Sequence, residues 1–217
     1  MSEFKRGITN EFVKALGELA AAGGWWRDVL IDNSLPIFLR NECLNVYWQG
    51  QSIFKIAYLR GQFRVSTHAK YLLDPSLSQQ VPFDGSVFNL RDLAPRALIE
   101  KYGRATQLKR GAEIYANDEK RGVHAIATGN PSVVDIEIAF SAHGLEGLGL
   151  QPRADIAAFE TEGDVVKLTF WEAKLFWNSE LRARAENVPV LRQVRKYQLM
   201  PSAHRQAILD SSASRRI

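Results

Sequence analysis

The sequence has few of the features that mark secreted, membrane or metal-cluster proteins. Its 217 residues include a single cysteine, Cys43, which excludes an internal disulfide, a multi-cysteine zinc site and an iron–sulfur cluster. No apolar run approaches the roughly 18 residues that a membrane helix needs, and residues 1–6 lack the apolar core of a signal peptide. A Walker-type phosphate loop, a dinucleotide-binding fingerprint and a nucleophile elbow are also missing. These absences predict a cytoplasmic protein with no membrane partner.

The composition is that of a folded globular protein. Hydrophobic residues make up 46% of the chain and charged residues 24%, which are ordinary values and argue against a disordered or fibrous protein. A length of 217 residues fits one domain or a compact pair of small ones.

Positive charge is concentrated at the carboxyl end. The formal net charge is +4, but residues 182–217 hold eight arginines or lysines and two acids, which is 8 − 2 = +6, so residues 1–181 carry −2. A basic segment on a near-neutral body is typical of proteins that bind phosphates. A solvated helix face explains the same charges, and charge alone does not decide between the two.

Residues 1–85 show one helix followed by short strands. Apolar residues recur at helical spacing after Thr9 and Asn10, either of which can cap a helix, and Gly23 ends the pattern. Runs rich in β-branched and aromatic residues, separated by turn residues, then predict an antiparallel meander. The helix is predicted at residues 9–22, the strands at 35–40, 43–48, 53–59 and 63–66, and a linker or long loop at 74–86.

Residues 86–217 predict helices on either side of three strands. Helical patterns cover residues 93–102 and 107–119, and a helix over 189–199 begins at Pro189. The strands are predicted at 133–140, 154–159 and 165–175, and the turn at 161–164 should pair the last two as a hairpin. The pattern therefore predicts an α/β fold in two parts: a small helix and meander over 1–85, and a helix, a mostly antiparallel three-stranded sheet and a helix over 86–217.

The hairpin carries the residues that are best suited to chemistry. Side chains alternate along a strand, so Glu172 and Lys174 share the face of an apolar stripe that ends at Phe170. Counting outward from the turn brings Asp155 near residues 170–172, at roughly 5 to 8 Å. Asp155 and Glu172 could hold Mg²⁺ or Mn²⁺ between them, and Lys174 could orient a water nucleophile. Lys174 is expected where the apolar face opens into a cleft, so its replacement should not affect folding.

These residues resemble a known nuclease superfamily. Arg153-Ala154-Asp155, the hairpin, and Glu172-Ala173-Lys174 are similar to the PD-(D/E)xK motif, although the leading proline is absent. Gln193 and Tyr197 match the Q-x-x-x-Y helix of the lambda-exonuclease-like branch. The resemblance covers about residues 105–200. It implies a restriction-endonuclease-like core and a Mg²⁺-dependent deoxyribonuclease.

The resemblance also implies further site residues. In the family, the helix that carries Gln193 and Tyr197 packs beside the catalytic hairpin and helps to place the nucleic acid. We expect its basic residues to contact phosphates; they are Arg192, Arg195 and Lys196. The family usually supplies one more carboxylate to the metal. Glu113, on a predicted helix, and Glu137, on the first strand, are both candidates, and family position slightly favours Glu113.

One departure from the family pattern lies at the carboxyl end. The superfamily core ends with a further strand after the Q-x-x-x-Y helix, whereas residues 201–217 predict a short helix and no strand. The last strand is then missing, belongs to a longer protein, or is supplied by a partner.

The sequence therefore leaves two functions open. The first is a metal-dependent nuclease, exonuclease or endonuclease, that acts on DNA in preference to RNA in defence, repair or mobile-element biology. The second is a non-catalytic nucleic-acid-binding module of the same fold within a larger assembly. A homodimer or larger complex is compatible with both.

Overall fold

The computed structural model describes residues 6–72, 79–90, 101–103, 105–139, 153–182, 188–195 and 205–213, the last without the side chains of 211–213. These residues form six α-helices and eight strands, so the fold is mixed α/β, as the sequence predicted. No helix within them has both the length and the apolar character that a membrane span requires. The chain divides into two compact units: the N-terminal unit, Ile8–Thr128, and the C-terminal unit, Met1–Gly7 with Gly129–Ile217.

The N-terminal unit contains a five-stranded antiparallel meander, which confirms the predicted strands. The strands lie in chain order across the sheet: β1 Ile37–Arg40, β2 Cys43–Trp48, β3 Gln51–Leu59, β4 Gln62–His68 and β5 Gln80–Phe83. The β2–β3 and β3–β4 turns have two residues each, Gln49-Gly50 and Arg60-Gly61, and all four residues have positive φ. Such turns match the twist of paired strands, which explains why the strands follow each other so tightly.

Strand β5 lies inside the segment that was predicted to be a loop. Residues 80–83 pair with β4, so the loop prediction over 74–86 was wrong for these positions. This strand was not predicted from the sequence because it contains Pro82, and a proline cannot donate a hydrogen bond to a sheet. An edge strand tolerates it, and β5 is the edge of this sheet.

Among its described residues, four helices accompany the meander: α1 Asn10–Ala21, α2 Trp25–Ile31, α3 Ala105–Glu113 and α4 Asp118–Gly129. The side chain of Thr9 accepts from the Phe12 N–H at 3.2 Å and caps α1 as expected. The helix predicted over 107–119 is two helices, because Asn117 Oδ1 accepts from the Lys120 N–H at 2.8 Å and starts a new one. Residues 93–100 of the other predicted helix lie outside the described residues.

Helix α3 belongs to the core of the meander. Leu108 and Ala112 are buried in the same cluster as Phe54 and Val46 of the sheet. The boundary predicted at 85/86 lies within the N-terminal unit, which ends at Thr128. The composition of residues 74–86 suggested a linker, but the helix that follows packs on the strands that precede it.

The C-terminal unit contains a three-stranded antiparallel sheet. Its strands are β6 Val133–Ala139, β7 Arg153–Glu162 and β8 Val165–Trp171, in that order across the sheet. Glu162 pairs with Val165 around Gly163, which has a φ of 60°, so the predicted hairpin is confirmed. Strand β8 ends at Trp171, four residues earlier than predicted. Glu172 and Lys174 consequently lie just beyond the strand.

In the part of the chain after the sheet that the structure describes there are two helices, α5 over residues 189–195 and α6 over Arg205–Ala213. The short helix predicted near the carboxyl end is therefore confirmed, and its Ile208 is buried in a cluster with Ile138, Ala154 and Ala157 of the sheet. Between residues 188 and 195 and between 205 and 213 the structure shows no further strand.

Candidate active site

The register of the β7–β8 hairpin brings Asp155 and Glu172 to corresponding positions. Ile156 pairs with Trp171, the last residue of β8. Extending that register by one residue sets Asp155 opposite Glu172, and the next backbone N–H, that of Ala173, donates to Asp155 Oδ2 at 2.8 Å. The predicted Asp155 and the E-x-K segment are therefore joined by a direct hydrogen bond, which fixes the Asp155 carboxylate.

Lys174 lies between two carboxylates. Its Nζ is 2.8 Å from Glu172 Oε1 and 3.2 Å from Glu180 Oε2. The side chains of Lys174 and Glu172 are only 11% and 5% exposed. Because water screens such a pair weakly, its electrostatic interaction is stronger than that of a surface salt bridge.

One oxygen of Glu172 is buried without a partner. Glu172 Oε2 has no hydrogen bond in the structure, although the other oxygen of the same carboxylate binds Lys174. Burying an unsatisfied polar atom is costly, so such atoms are uncommon in folded proteins. An orphaned carboxylate oxygen is one that can accept from a ligand or coordinate a cation.

The donor set fits a hard divalent cation. Mg²⁺ prefers oxygen ligands and is commonly bound by one or two carboxylates, with water and substrate phosphates completing its shell. Asp155 and Glu172 supply two carboxylates at corresponding positions of the hairpin. Among the described residues there is no group of three or more His, Cys, Asp or Glu side chains arranged around a metal position. A metal site with two carboxylate ligands does not require such a group of three.

The two candidates for a third carboxylate have different surroundings. Glu137 lies on β6 between the pairs Ile136–Ile156 and Ile138–Ala154, which sets it opposite Asp155. Its carboxylate is 3.8 Å from the Arg153 guanidinium, and its φ is +52°, a strained conformation for a glutamate. Glu113 is exposed at the end of α3, in the N-terminal unit. Glu137 is thus the candidate that shares a sheet with Asp155.

The predicted nucleic-acid contacts are described in part. On α5, Arg192 and Arg195 are exposed and Gln193 is half-buried. Lys196 and Tyr197 lie outside the described residues, so the structure describes only Gln193 of the Q-x-x-x-Y pair.

Sequence reasoning missed two interactions in this unit. Glu180 reaches Lys174 because Asn178 Oδ1 accepts from the Glu180 N–H at 2.9 Å and begins a 3-10 turn, Ser179–Leu181. Asparagine is a favoured capping residue, and Asn178 was the available signal. The second is the buried pair of Arg6 Nε and Asp135 Oδ2, 2.9 Å apart. These residues are 129 positions apart, and no local pattern indicated the contact.

Comparisons with known proteins leave the site to be interpreted from its geometry. No protein-family model matches the chain, and neither the curated proteins nor the solved structures searched include a match.

Proposed function

We propose that this protein is a metal-dependent nuclease that hydrolyses phosphodiester bonds of DNA. The observation that carries the proposal is the state of Glu172: one oxygen is held by Lys174 at 2.8 Å and the other is buried without a partner. An ordinary structural salt bridge would leave the second oxygen in water or hydrogen-bonded. A buried, half-satisfied carboxylate beside Asp155 is instead prepared to accept a ligand.

Each residue of the site has a distinct task in the proposed reaction. Asp155 and Glu172 would hold Mg²⁺ or Mn²⁺, which when bound polarises a phosphoryl oxygen and lowers the pKa of a coordinated water. The Ala173 N–H fixes Asp155, and the Lys174 ammonium fixes Glu172. Lys174 also places a positive charge where negative charge develops on the attacked phosphate, and its contact with Glu180 restricts its position.

The choice of a nucleic acid as substrate is supported by the charge around α5. Arg192 and Arg195 are exposed on this helix, within the segment 182–217 that carries a net charge of +6. Arginines on a helix surface are suited to phosphate contacts along a polyanion.

A second function is favoured by a different feature of the same site. Lys174 pairs with both Glu172 and Glu180, so each of these carboxylates has a cationic partner without any metal. A protein with these ion pairs and the basic α5 would bind nucleic acid without cleaving it, as a module of a larger assembly.

The experiment that separates the two functions uses the full chain and a panel of labelled nucleic acids. Single-stranded and double-stranded DNA and RNA of one sequence, and a circular plasmid, are incubated with Mg²⁺, Mn²⁺ or EDTA. We expect DNA cleavage with either metal and none with EDTA or with a Glu172→Gln variant purified in parallel. Binding without cleavage under every condition would support the non-catalytic module, and cleavage that persists in EDTA would contradict the proposed metal site.

A further inference from the structure

Two aromatic side chains are exposed immediately after the candidate catalytic lysine. The Asn178 N–H donates to the Leu175 carbonyl oxygen at 2.8 Å, which closes a β-turn with Phe176 and Trp177 at its two central positions. Phe176 is 85% exposed and Trp177 is 66% exposed. Residues 175–178 form the aromatic turn.

The composition of the aromatic turn is unusual for its conformation. Central turn positions favour Gly, Pro, Asn, Asp and Ser, because these residues suit the backbone angles or bond to the turn itself. Phe176 and Trp177 are not among these residues, and their exposure leaves their apolar surface in water, which is unfavourable. Adjacent exposed aromatic residues of this kind mark interaction sites.

The turn is held firmly at its base. Lys174, which precedes it, pairs with Glu180, which follows it, at 3.2 Å. Asn178 ends the turn and accepts from the Glu180 N–H at 2.9 Å. These two contacts close a short loop, so Phe176 and Trp177 are presented on an anchored scaffold beside the candidate site.

The turn combines exposed ring faces with one cationic side chain, that of Arg182, whereas Lys174 is already paired with Glu172 and Glu180. Phe176 is two residues from Lys174, so their Cα atoms are separated by at most about 7 Å. Arg182 is exposed just after the 3-10 turn that follows. Cationic side chains beside aromatic ones are how proteins bind single-stranded nucleic acid, whose unpaired bases stack on the rings. Base pairing and stacking within a duplex keep those base faces covered.

We propose that the aromatic turn binds unpaired bases of single-stranded DNA next to the phosphate that is attacked. The substrate is then single-stranded DNA, or a duplex end that has opened, and not an intact duplex. The proposal rests on the proposed function for its placement of the attacked phosphate at Lys174, whereas the binding of unpaired bases can be measured without any cleavage.

The test compares DNA binding by wild type and three variants in EDTA, where no cleavage occurs. The variants are Phe176→Ala/Trp177→Ala, the conservative Trp177→Phe, and Val166→Ala as a control. Val166 is 60% exposed on β8, so it matches the turn in exposure but lies about 20 Å along the strand from Glu172. Fluorescence anisotropy of a labelled oligonucleotide, single-stranded or annealed to its complement, gives each dissociation constant.

We expect the double variant to bind single-stranded DNA at least about 5-fold more weakly, because each stacked base contributes a factor of about 5 to 150, with duplex binding little changed. Trp177→Phe should retain most of the affinity, and Val166→Ala all of it. Unchanged single-strand affinity in the double variant, or an equal loss for duplex, would overturn the proposal. The proposal would also be overturned if the double variant lost only its binding to anionic phospholipid vesicles, or only its self-association, while its affinity for single-stranded DNA stayed that of wild type.

The outcomes separate this inference from the proposed function. Selective loss of single-strand binding in the double variant, together with no metal-dependent cleavage by wild type, would support the aromatic turn and contradict the nuclease. Metal-dependent cleavage of duplex by a wild type that does not bind single strands would support the nuclease and overturn the role of the turn.

Discussion

Lys174 is more buried than the strand pattern predicted. The alternation of side chains predicted a lysine at the mouth of a cleft, which could be replaced without effect on folding. The structure instead buries it between Glu172 and Glu180, with 11% of its side chain exposed. Removing one member of a buried pair leaves the other charge uncompensated, so we now expect Lys174→Ala to reduce the free energy of unfolding by up to about 3 kcal/mol.

A substitution at Asp155 should distinguish an effect on catalysis from an effect on folding more clearly than Lys174→Ala does. In Asp155→Asn the side-chain amide oxygen can still accept from the Ala173 N–H, so the local backbone should be retained. The negative charge is lost, and with it the affinity for a divalent cation. We expect the cleavage rate to fall at least about a hundredfold while the free energy of unfolding changes by about 1 kcal/mol, as measured by denaturant titration beside a cleavage assay.

Asp164→Asn is the matched control for this substitution, because Asp164 is an exposed residue of the β7–β8 turn. It should leave both the cleavage rate and the stability unchanged. Equal cleavage by Asp155→Asn and wild type would show that Asp155 is not a ligand of the reaction's cation.

At the scale of elements, turn chemistry was the most informative part of the sequence. The hairpin turn at Gly163 and the Gly50 and Gly61 turns each adopt a positive φ and join strands that were predicted as neighbours. Elements defined by tertiary contacts were harder to predict. Strand β5 contains a proline and pairs only along an edge, and the helix predicted over 107–119 ends early because of a cap at Asn117.

The surroundings of two helical glycines predict that alanine destabilises the protein at one of them and stabilises it at the other. Replacing a helical glycine by alanine usually stabilises a protein by up to about 1 kcal/mol. A Cβ atom at Gly111 of α3 would lie under 3.0 Å from the backbone carbonyl oxygen of Tyr71, so Gly111→Ala should destabilise the N-terminal unit. Gly122 of α4 has no atom within 4 Å of such a Cβ, and Gly122→Ala should stabilise it.

Thermal unfolding of the two glycine variants and wild type measures this difference. Gly111→Ala should have a lower melting temperature than wild type, and Gly122→Ala a higher one. If Gly111→Ala were as stable as Gly122→Ala, the close approach of α3 to the Tyr71 backbone would be incorrect.

At the scale of the whole molecule, the sequence predicted local order better than the assembly of the units. The helices and strands near the hairpin, and the proximity of Asp155 to Glu172, followed from alternation and turn residues. The division at residues 128/129 did not, because it depends on α3 packing against strands about 50 residues earlier in the chain. The Arg6–Asp135 pair, across 129 positions, was unpredictable for the same reason.

The rate of Mg²⁺-dependent DNA cleavage by Lys174→Met and Lys167→Met variants of the full chain shows whether the Lys174 ammonium takes part in the reaction. Lys167 also lies in the β8 region, but it is exposed and pairs with Glu162 at the surface. Both variants remove one ammonium and keep the bulk of an unbranched side chain. Rates are compared below the melting temperature of both proteins. A double variant, Glu172→Gln/Lys174→Met, removes both charges of the buried pair and so restores its charge balance.

If the site acts as proposed, Lys167→Met cleaves DNA as fast as wild type. Lys174→Met then cleaves at least about a hundredfold more slowly, since each 1.36 kcal/mol of lost transition-state stabilisation costs about tenfold in rate. The double variant recovers stability and not activity. Wild-type cleavage rates in folded Lys174→Met would contradict the account and place the reaction away from Asp155, Glu172 and Lys174.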